Sequence, residues 1–110
     1  MPLTPIDPDT LAERVAAGDV ILIDVREAAE FAAEHIPGAR LSPLSAMTSG
    51  AIETGGSSPV FYCKSGMRTQ GAAAKLAAAA GRSAFVLRGG IDAWKRAGRA
   101  VATGPWRPAS

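Results

Sequence analysis

Short apolar runs alternate along this chain with longer stretches in which alanines and charged residues keep a helical spacing, so strands and helices are predicted in turn. Leu3 to Ile6 reads as a short edge strand or an extended lead-in, broken by Pro5. Asp7-Pro8 offers a helix cap followed by proline at the first helical position. Leu11, Arg14 and Val15 carry the spacing on to Gly18, which predicts a first helix over residues 8 to 17. Val20 to Val25 is an apolar run closed by Asp24 and Arg26, short enough for a strand buried on both faces. Glu27 to Glu34 places Ala28, Ala29, Phe31 and Ala32 on a two-turn helix, stopped by Ile36-Pro37-Gly38.

Ala39 to Leu41 predicts another very short strand, and Ser42-Pro43-Leu44 opens a single helical turn. The stretch from Thr48 to Ser58, rich in glycine and serine, reads as an exposed flexible loop. Val60 to Tyr62 is a strand, Thr69 to Ala80 an alanine-dense helix ended by Gly81, and Ala84 to Leu87 a further strand. Gly89-Gly90 is a turn, and Ile91 to Ala97 is a helix ending at Gly98. Residues 1–103 form the predicted domain and 104–110 a tail without periodicity, whose Trp106 either packs back on the body or marks a continuation. The class is α/β: alternating strands and helices predict a parallel sheet with helices on both faces. Ligands of such sheets gather beyond the carboxyl ends of the strands, where Asp24 and Cys63 are expected to share a rim.

Composition narrows the chemistry. With 110 residues the chain suits one domain, able to bury a core without disulfides or a structural metal. A net charge of +2 from interleaved basic and acidic residues argues against nucleic acid as a partner. The single cysteine excludes an internal disulfide and any multi-cysteine metal site, and neither metal nor cofactor is predicted. No apolar run approaches the roughly 18 residues of a membrane span, and Met1-Pro2-Leu3-Thr4-Pro5 lacks the features of a signal peptide. A soluble, cytoplasmic chain is expected.

That cysteine, Cys63, stands where Pro59-Val60-Phe61-Tyr62 gives way to Lys64-Ser65-Gly66-Met67-Arg68, at the first position of a loop between strand and helix. A loop of this kind turns backbone N–H groups inward, and the positive end of the next helix adds to their field. A thiolate there, or an anion bonded to it, is stabilised. A free cysteine is often no more than a small buried hydrophobe, but Lys64, Ser65, Gly66 and Arg68 suit a cationic anion pocket better than a core. Cys63 is therefore the candidate nucleophile. Three further residues stand as supporting candidates. Asp24 is expected to hold Arg68 or the loop, or to accept from nearby amides as a turn former. Arg26 is placed either to orient substrate or to pair with Glu30 four residues on, and His35 either to move protons or to cap helix-end carbonyls. Pairing and capping are the favoured roles.

Leu22-Ile23-Asp24-Val25-Arg26-Glu27, Phe31, Glu34-His35-Ile36-Pro37-Gly38-Ala39, Tyr62-Cys63-Lys64-Ser65-Gly66-Met67-Arg68-Thr69 and Gly89-Gly90-Ile91-Asp92-Ala93-Trp94 occur in that order, and together they resemble a rhodanese domain. The resemblance runs from about residue 4 to 102. It implies a rhodanese-like fold, a five-stranded mostly parallel sheet with helices on both faces, and sulfur transfer through a persulfide on Cys63. It also implies that Lys64, Ser65, Gly66, Met67 and Arg68 form the cradle. Thiosulfate or a similar anionic donor and a thiophilic acceptor, cyanide or a thiol that includes a protein thiol, are the implied partners. The pattern is similar too to the cytoplasmic domain of bacterial membrane-anchored rhodaneses; these 110 residues hold no transmembrane helix, so a free single-domain form and a trimmed piece of an anchored protein are both expected readings.

Two other chemistries compete: a cysteine-based phosphatase or arsenate reductase, and a non-catalytic binding module that keeps the fold. Cys63 and Arg68 stand in a Cys-x4-Arg spacing, one residue shorter than the Cys-x5-Arg loop of phosphatase and arsenate-reductase relatives. The shorter cradle suits a sulfur atom better than a tetrahedral oxyanion, and sulfur transfer is the leading expectation.

Overall fold

Five strands line up in the spatial order β1-β5-β4-β2-β3: β1 (Leu3–Ile6), β2 (Val20–Asp24), β3 (Arg40–Leu41), β4 (Ser58–Tyr62) and β5 (Ala84–Leu87). The structure, a computed structural model, describes residues 3–47, 52 and 55–107, so most of the predicted loop from Thr48 to Ser58 and the last three residues of the predicted tail lie outside the described residues. Each pairing between named strands is parallel. The helices are α1 (Pro8–Ala17), α2 (Ala28–Ala33), α3 (Met67–Gly71), α4 (Ala73–Ala80) and α5 (Gly90–Arg96), with a 3-10 turn at Leu44–Ala46. The predicted α/β architecture, with helices on both faces, is the one observed.

β4 is the middle strand, and Val60, Phe61 and Tyr62 are 0% exposed because successive side chains point to opposite, covered faces. Val60 and Tyr62 join Leu11 of α1, Phe31 of α2, and Ile91 and Trp94 of α5 in one half of the core. Phe61 and Cys63 join Ile23, Val25, Leu76 and Ala79 in the other half, under α4. The thiol's side of the sheet thus follows from its place in the strand alternation. β1 lies at one edge, with Pro5 opposite Val86 of β5, which suits a residue without an N–H.

One prediction is corrected and one open alternative is answered. The single helix expected over Thr69 to Ala80 is two segments that meet at Ala72, whose φ of −112° and ψ of 17° leave the helical region. The break falls beside Gly71, a poor helix former. The first segment also starts earlier, at Met67, because Gly66 takes a left-handed φ of 98° that sets the helix entry. The open alternative is that of Trp106, for which packing back on the body was one of the two readings. Gly104 donates its N–H to the Ala32 carbonyl at 2.9 Å, and Trp106 lies edge-on to Phe31 at 6.0 Å between ring centroids. Residues 102–106 therefore pack on α2 rather than leaving the body, and Trp106 is part of the core's margin.

Candidate functional site

β2 and β4 run side by side with Asp24 in register with Tyr62, so Asp24 and the residue after β4, Cys63, come out on the same rim. Cys63 is 1% exposed, with apolar neighbours beneath it, so its sulfur is sheltered from bulk solvent. The Gly66 N–H donates to the Cys63 Sγ at 3.1 Å, and the Thr69 Oγ1 lies 3.8 Å from that sulfur. The Thr69 hydroxyl, itself buried, donates to the Gly66 carbonyl at 2.9 Å. Among the described residues one main-chain amide meets the sulfur, where the sequence predicted several. The loop is inward-facing, but its fixed donor is a single N–H with a hydroxyl beside it.

The first turn of α5 explains why the loop faces inward. Helix-start amides have no partner within their own helix. Here the Ile91 N–H donates to the Cys63 carbonyl and the Asp92 N–H to the Lys64 carbonyl, each at 3.0 Å. With those two carbonyls drawn out toward α5, the loop turns back at Ser65 and the Gly66 N–H, one peptide unit further on, faces the thiol. The approach is so close that only glycine fits at position 90. Its φ is 62°, and a Cβ there would stand 2.5 Å from both the Cys63 and the Lys64 carbonyl oxygens. The sequence showed Gly89-Gly90 only as a turn. Paired glycines ahead of a helix are a signal of close backbone approach, although what approaches is invisible without the fold.

Among the charged candidates Asp24 accepts from a nearby backbone amide, as the turn-former reading expects, whereas the partners of Arg26 and Arg68 differ from the expectation. Asp24, fully buried, accepts from the Arg26 backbone N–H at 2.9 Å and from the Arg26 Nη2 at 2.8 Å, so it holds Arg26 and not Arg68. Arg26 also donates to the Glu34 carbonyl at 2.7 Å. Burial opposes the charge on Arg26, but the hydrogen bonds and charge of Asp24 outweigh it and raise its pKa. Burial pushes the Tyr62 hydroxyl up as well, with the Asp24 charge adding to it, and that hydroxyl accepts from the Ile36 N–H at 3.1 Å. The expected pairing of Arg26 with Glu30 is absent. Arg26 precedes α2, which starts at Ala28, so the helical four-residue spacing does not apply to it.

Glu30 instead meets Arg68 across the rim. The Arg68 Nη1 donates to the Glu30 Oε1 at 2.8 Å and its Nη2 to Oε2 at 2.7 Å, a two-pronged contact. These hydrogen bonds hold the Glu30 pKa down to about 2. The same contact raises the pKa of Arg68, and the charges of Cys63 and Asp24 add to that rise. Lys64, largely exposed, pairs with Asp92 at 3.1 Å. Both loop cations that were expected to face a donor therefore have carboxylates on them. Three cations, Arg26, Lys64 and Arg68, are matched by the three carboxylates of Asp24, Asp92 and Glu30.

The remaining candidates separate. His35 sets its Nδ1 2.8 Å from the Phe31 carbonyl and stacks on the Phe31 ring at 3.8 Å, which is the capping position. Among the described residues no hydrogen bond joins it to the Cys63 loop. Ser65 and Met67 are exposed on that loop, and Ser65 makes no hydrogen bond that would cap α3. A groove of about 480 Å3 runs from Ser65, Gly66 and Met67 along α4 toward Leu3 and Pro5 of β1. Among the described residues no three His, Cys, Asp or Glu side chains gather as metal ligands would, and no helix is long and apolar enough to cross a membrane.

Comparison with known proteins adds the following. The family model of the rhodanese-like domain matches residues 7–97. A protein named sulfurtransferase from Allochromatium vinosum is 38% identical over 95 residues, which cover 84% of this chain and 89% of that one. The uncharacterized protein slr1261 of Synechocystis sp. is 39% identical over 94 residues, covering 84% of this chain and 52% of the relative, so the chain spans about half of that protein's length. Among solved structures, the thiosulfate sulfurtransferase of Pseudomonas aeruginosa superposes with a TM-score of 0.77 at 32% identity over 94% of this chain and 20% of that one.

Proposed function

Because the chain belongs to the rhodanese-like domain family, we propose that it is a sulfurtransferase that carries one sulfane sulfur on Cys63 between an anionic donor such as thiosulfate and a thiophilic acceptor. The observation that carries this reading is the Gly66 N–H aimed at the Cys63 Sγ from 3.1 Å, in a loop whose carbonyls are drawn away to α5. An amide so fixed stabilises negative charge on the sulfur, or on a second sulfur bonded to it, without having to reorient during the reaction.

In the first half-reaction the Cys63 thiolate attacks the outer sulfur of thiosulfate. A new S–S bond forms, the bond between the two thiosulfate sulfurs breaks, and its electron pair leaves with sulfite. The enzyme now holds a Cys63 persulfide whose terminal sulfur carries the negative charge. Thr69 has one hydroxyl proton, which it gives to the Gly66 carbonyl in the resting state and can turn to the sulfur when charge builds there. In the second half-reaction an acceptor attacks the terminal sulfur and the electron pair of the S–S bond returns to Cys63: cyanide leaves as thiocyanate, and a thiolate leaves as a persulfide. Cys63 is the only cysteine, so the sulfur moves outward to another molecule.

Mass spectrometry after mixing with thiosulfate tests the reading. The expected result is the added mass of one sulfur, removed by cyanide and absent in Cys63→Ser. Hydrolysis of a chromogenic phosphate ester without that adduct would replace this reading with the oxyanion-enzyme one, and neither signal would leave a binding module.

A further inference from the structure

We propose that Glu30 is a specificity-determining residue: its carboxylate fills the guanidinium fork of Arg68 that an oxyanion donor needs, and so sets how strongly dianionic donors are held. This rests on the sulfurtransferase reading for its link to turnover, although the anion competition itself does not.

The geometry is the first ground. A carboxylate that takes both Nη atoms at 2.8 and 2.7 Å uses the donors that would meet two oxygens of a sulfonate or sulfate group. Arg68 stands in the first turn of α3 between Gly66, whose N–H meets the Cys63 sulfur at 3.1 Å, and Thr69, whose hydroxyl oxygen lies 3.8 Å from it. The fork therefore belongs to the same site as the thiol.

Charge is the second ground. Asp24 is on Arg26, Asp92 on Lys64 and Glu30 on Arg68, so each of the three cations singled out at the rim already carries a carboxylate. Of the three pairs, Asp24–Arg26 is buried and fixed by four hydrogen bonds, so it does not open to an anion. Lys64 is a flexible point charge whose side chain is 63% exposed. Arg68 combines a planar fork with a pair exposed to 43% and 32%, which water and anions reach and which contributes little by itself. It is the cation that an oxyanion can win from its partner.

The competing idea is that Glu30 only steadies Arg68 for the donor, and the two predict opposite signs. The test is Glu30→Gln, which keeps the shape and an acceptor for the Glu27 N–H but removes the charge. Sulfate, a dianion that cannot transfer sulfur, is titrated by calorimetry into wild type, Glu30→Gln and Glu30→Gln/Arg68→Gln, beside methanesulfonate, a monoanion. Sulfate is expected to bind about three-fold or more tightly in Glu30→Gln, with a smaller gain for methanesulfonate and no gain in the double variant. The KM for thiosulfate should fall by a similar factor while kcat stays within about two-fold. Unchanged or weaker sulfate binding in Glu30→Gln overturns the proposal and makes Glu30 a positioning residue. Tighter sulfate binding in a protein that forms no Cys63 persulfide would instead retain the anion competition and overturn the sulfurtransferase reading.

Discussion

The Cys63 loop is held on two sides by unlike means. On the α5 side the close contact is backbone to backbone, the Ile91 and Asp92 N–H groups on the Cys63 and Lys64 carbonyls, with the exposed Lys64–Asp92 ion pair outside it. Toward α2 it is one side-chain ion pair, Arg68 with Glu30, which straps the helices of the two core layers together over the strand ends. The first contact depends on no side chain and needs only that Gly90 have none. The second is a pair of exposed, exchangeable charges. Position is thus assigned to the main chain, which does not exchange with solvent ions, and charge to groups that do.

The sharpest way to break this contrast is Gly90→Ala. A methyl group 2.5 Å from two carbonyl oxygens, on a residue with a φ of 62°, must push α5 and the loop apart. We expect a loss of about 3 kcal/mol or more of stability in denaturant unfolding, and persulfide formation far below wild type in whatever folds. A near-native midpoint with normal sulfur loading would show that the backbone contact does not set the thiol. Among the exposed ion pairs, Lys64→Gln, which removes the pair with Asp92 beside that backbone contact, should change stability by no more than about 1 kcal/mol and raise the KM for thiosulfate by about two-fold, less so as salt is added. A loss comparable to that of Gly90→Ala would erase the distinction between main-chain contact and ion pair.

The smallest effect concerns pH. Glu30 titrates in the folded protein at about 2, below its ordinary value of 4.5, because Arg68 favours the charged form. A lowered folded pKa means that the pair's contribution is fully present above the unfolded value and disappears as the pH falls through about 2. The carboxyl carbon of Glu30, followed by NMR, should therefore stay at its ionised shift through mild acid. Titration near the ordinary carboxylate value would mean that Arg68 is not on it in solution.

How much of this was legible in the sequence follows from the reach of each signal. Strand runs such as Ala84 to Leu87, and the first helix from Pro8 to Ala17, carry their own periodicity and punctuation and were read to their ends. Cys63 was placed at the loop by the abrupt change from Phe61-Tyr62 to Lys64-Ser65-Gly66. Its burial was not, because an exposed, polar loop says nothing of the side on which its first residue packs. Arg26 and Glu30 were paired by a helical spacing that begins too late to include Arg26. The true partner of Glu30 lies 38 residues on, a distance that only the sheet order closes. Gly90 was recognised as a turn glycine while its reason, two carbonyls from another segment, lay outside any local window.

The alternation along β4 has a last consequence. Val60 and Tyr62 look one way and Phe61 and Cys63 the other, so the sulfur's address is a matter of parity. Swapping one loop residue for another leaves that address intact, whereas inserting or deleting a single residue between Pro59 and Cys63 would deliver the thiol to the layer of Trp94, out of reach of Gly66 and Thr69. For this protein, counting along the strand constrains inheritance more tightly than the choice of any amino acid in the loop that follows.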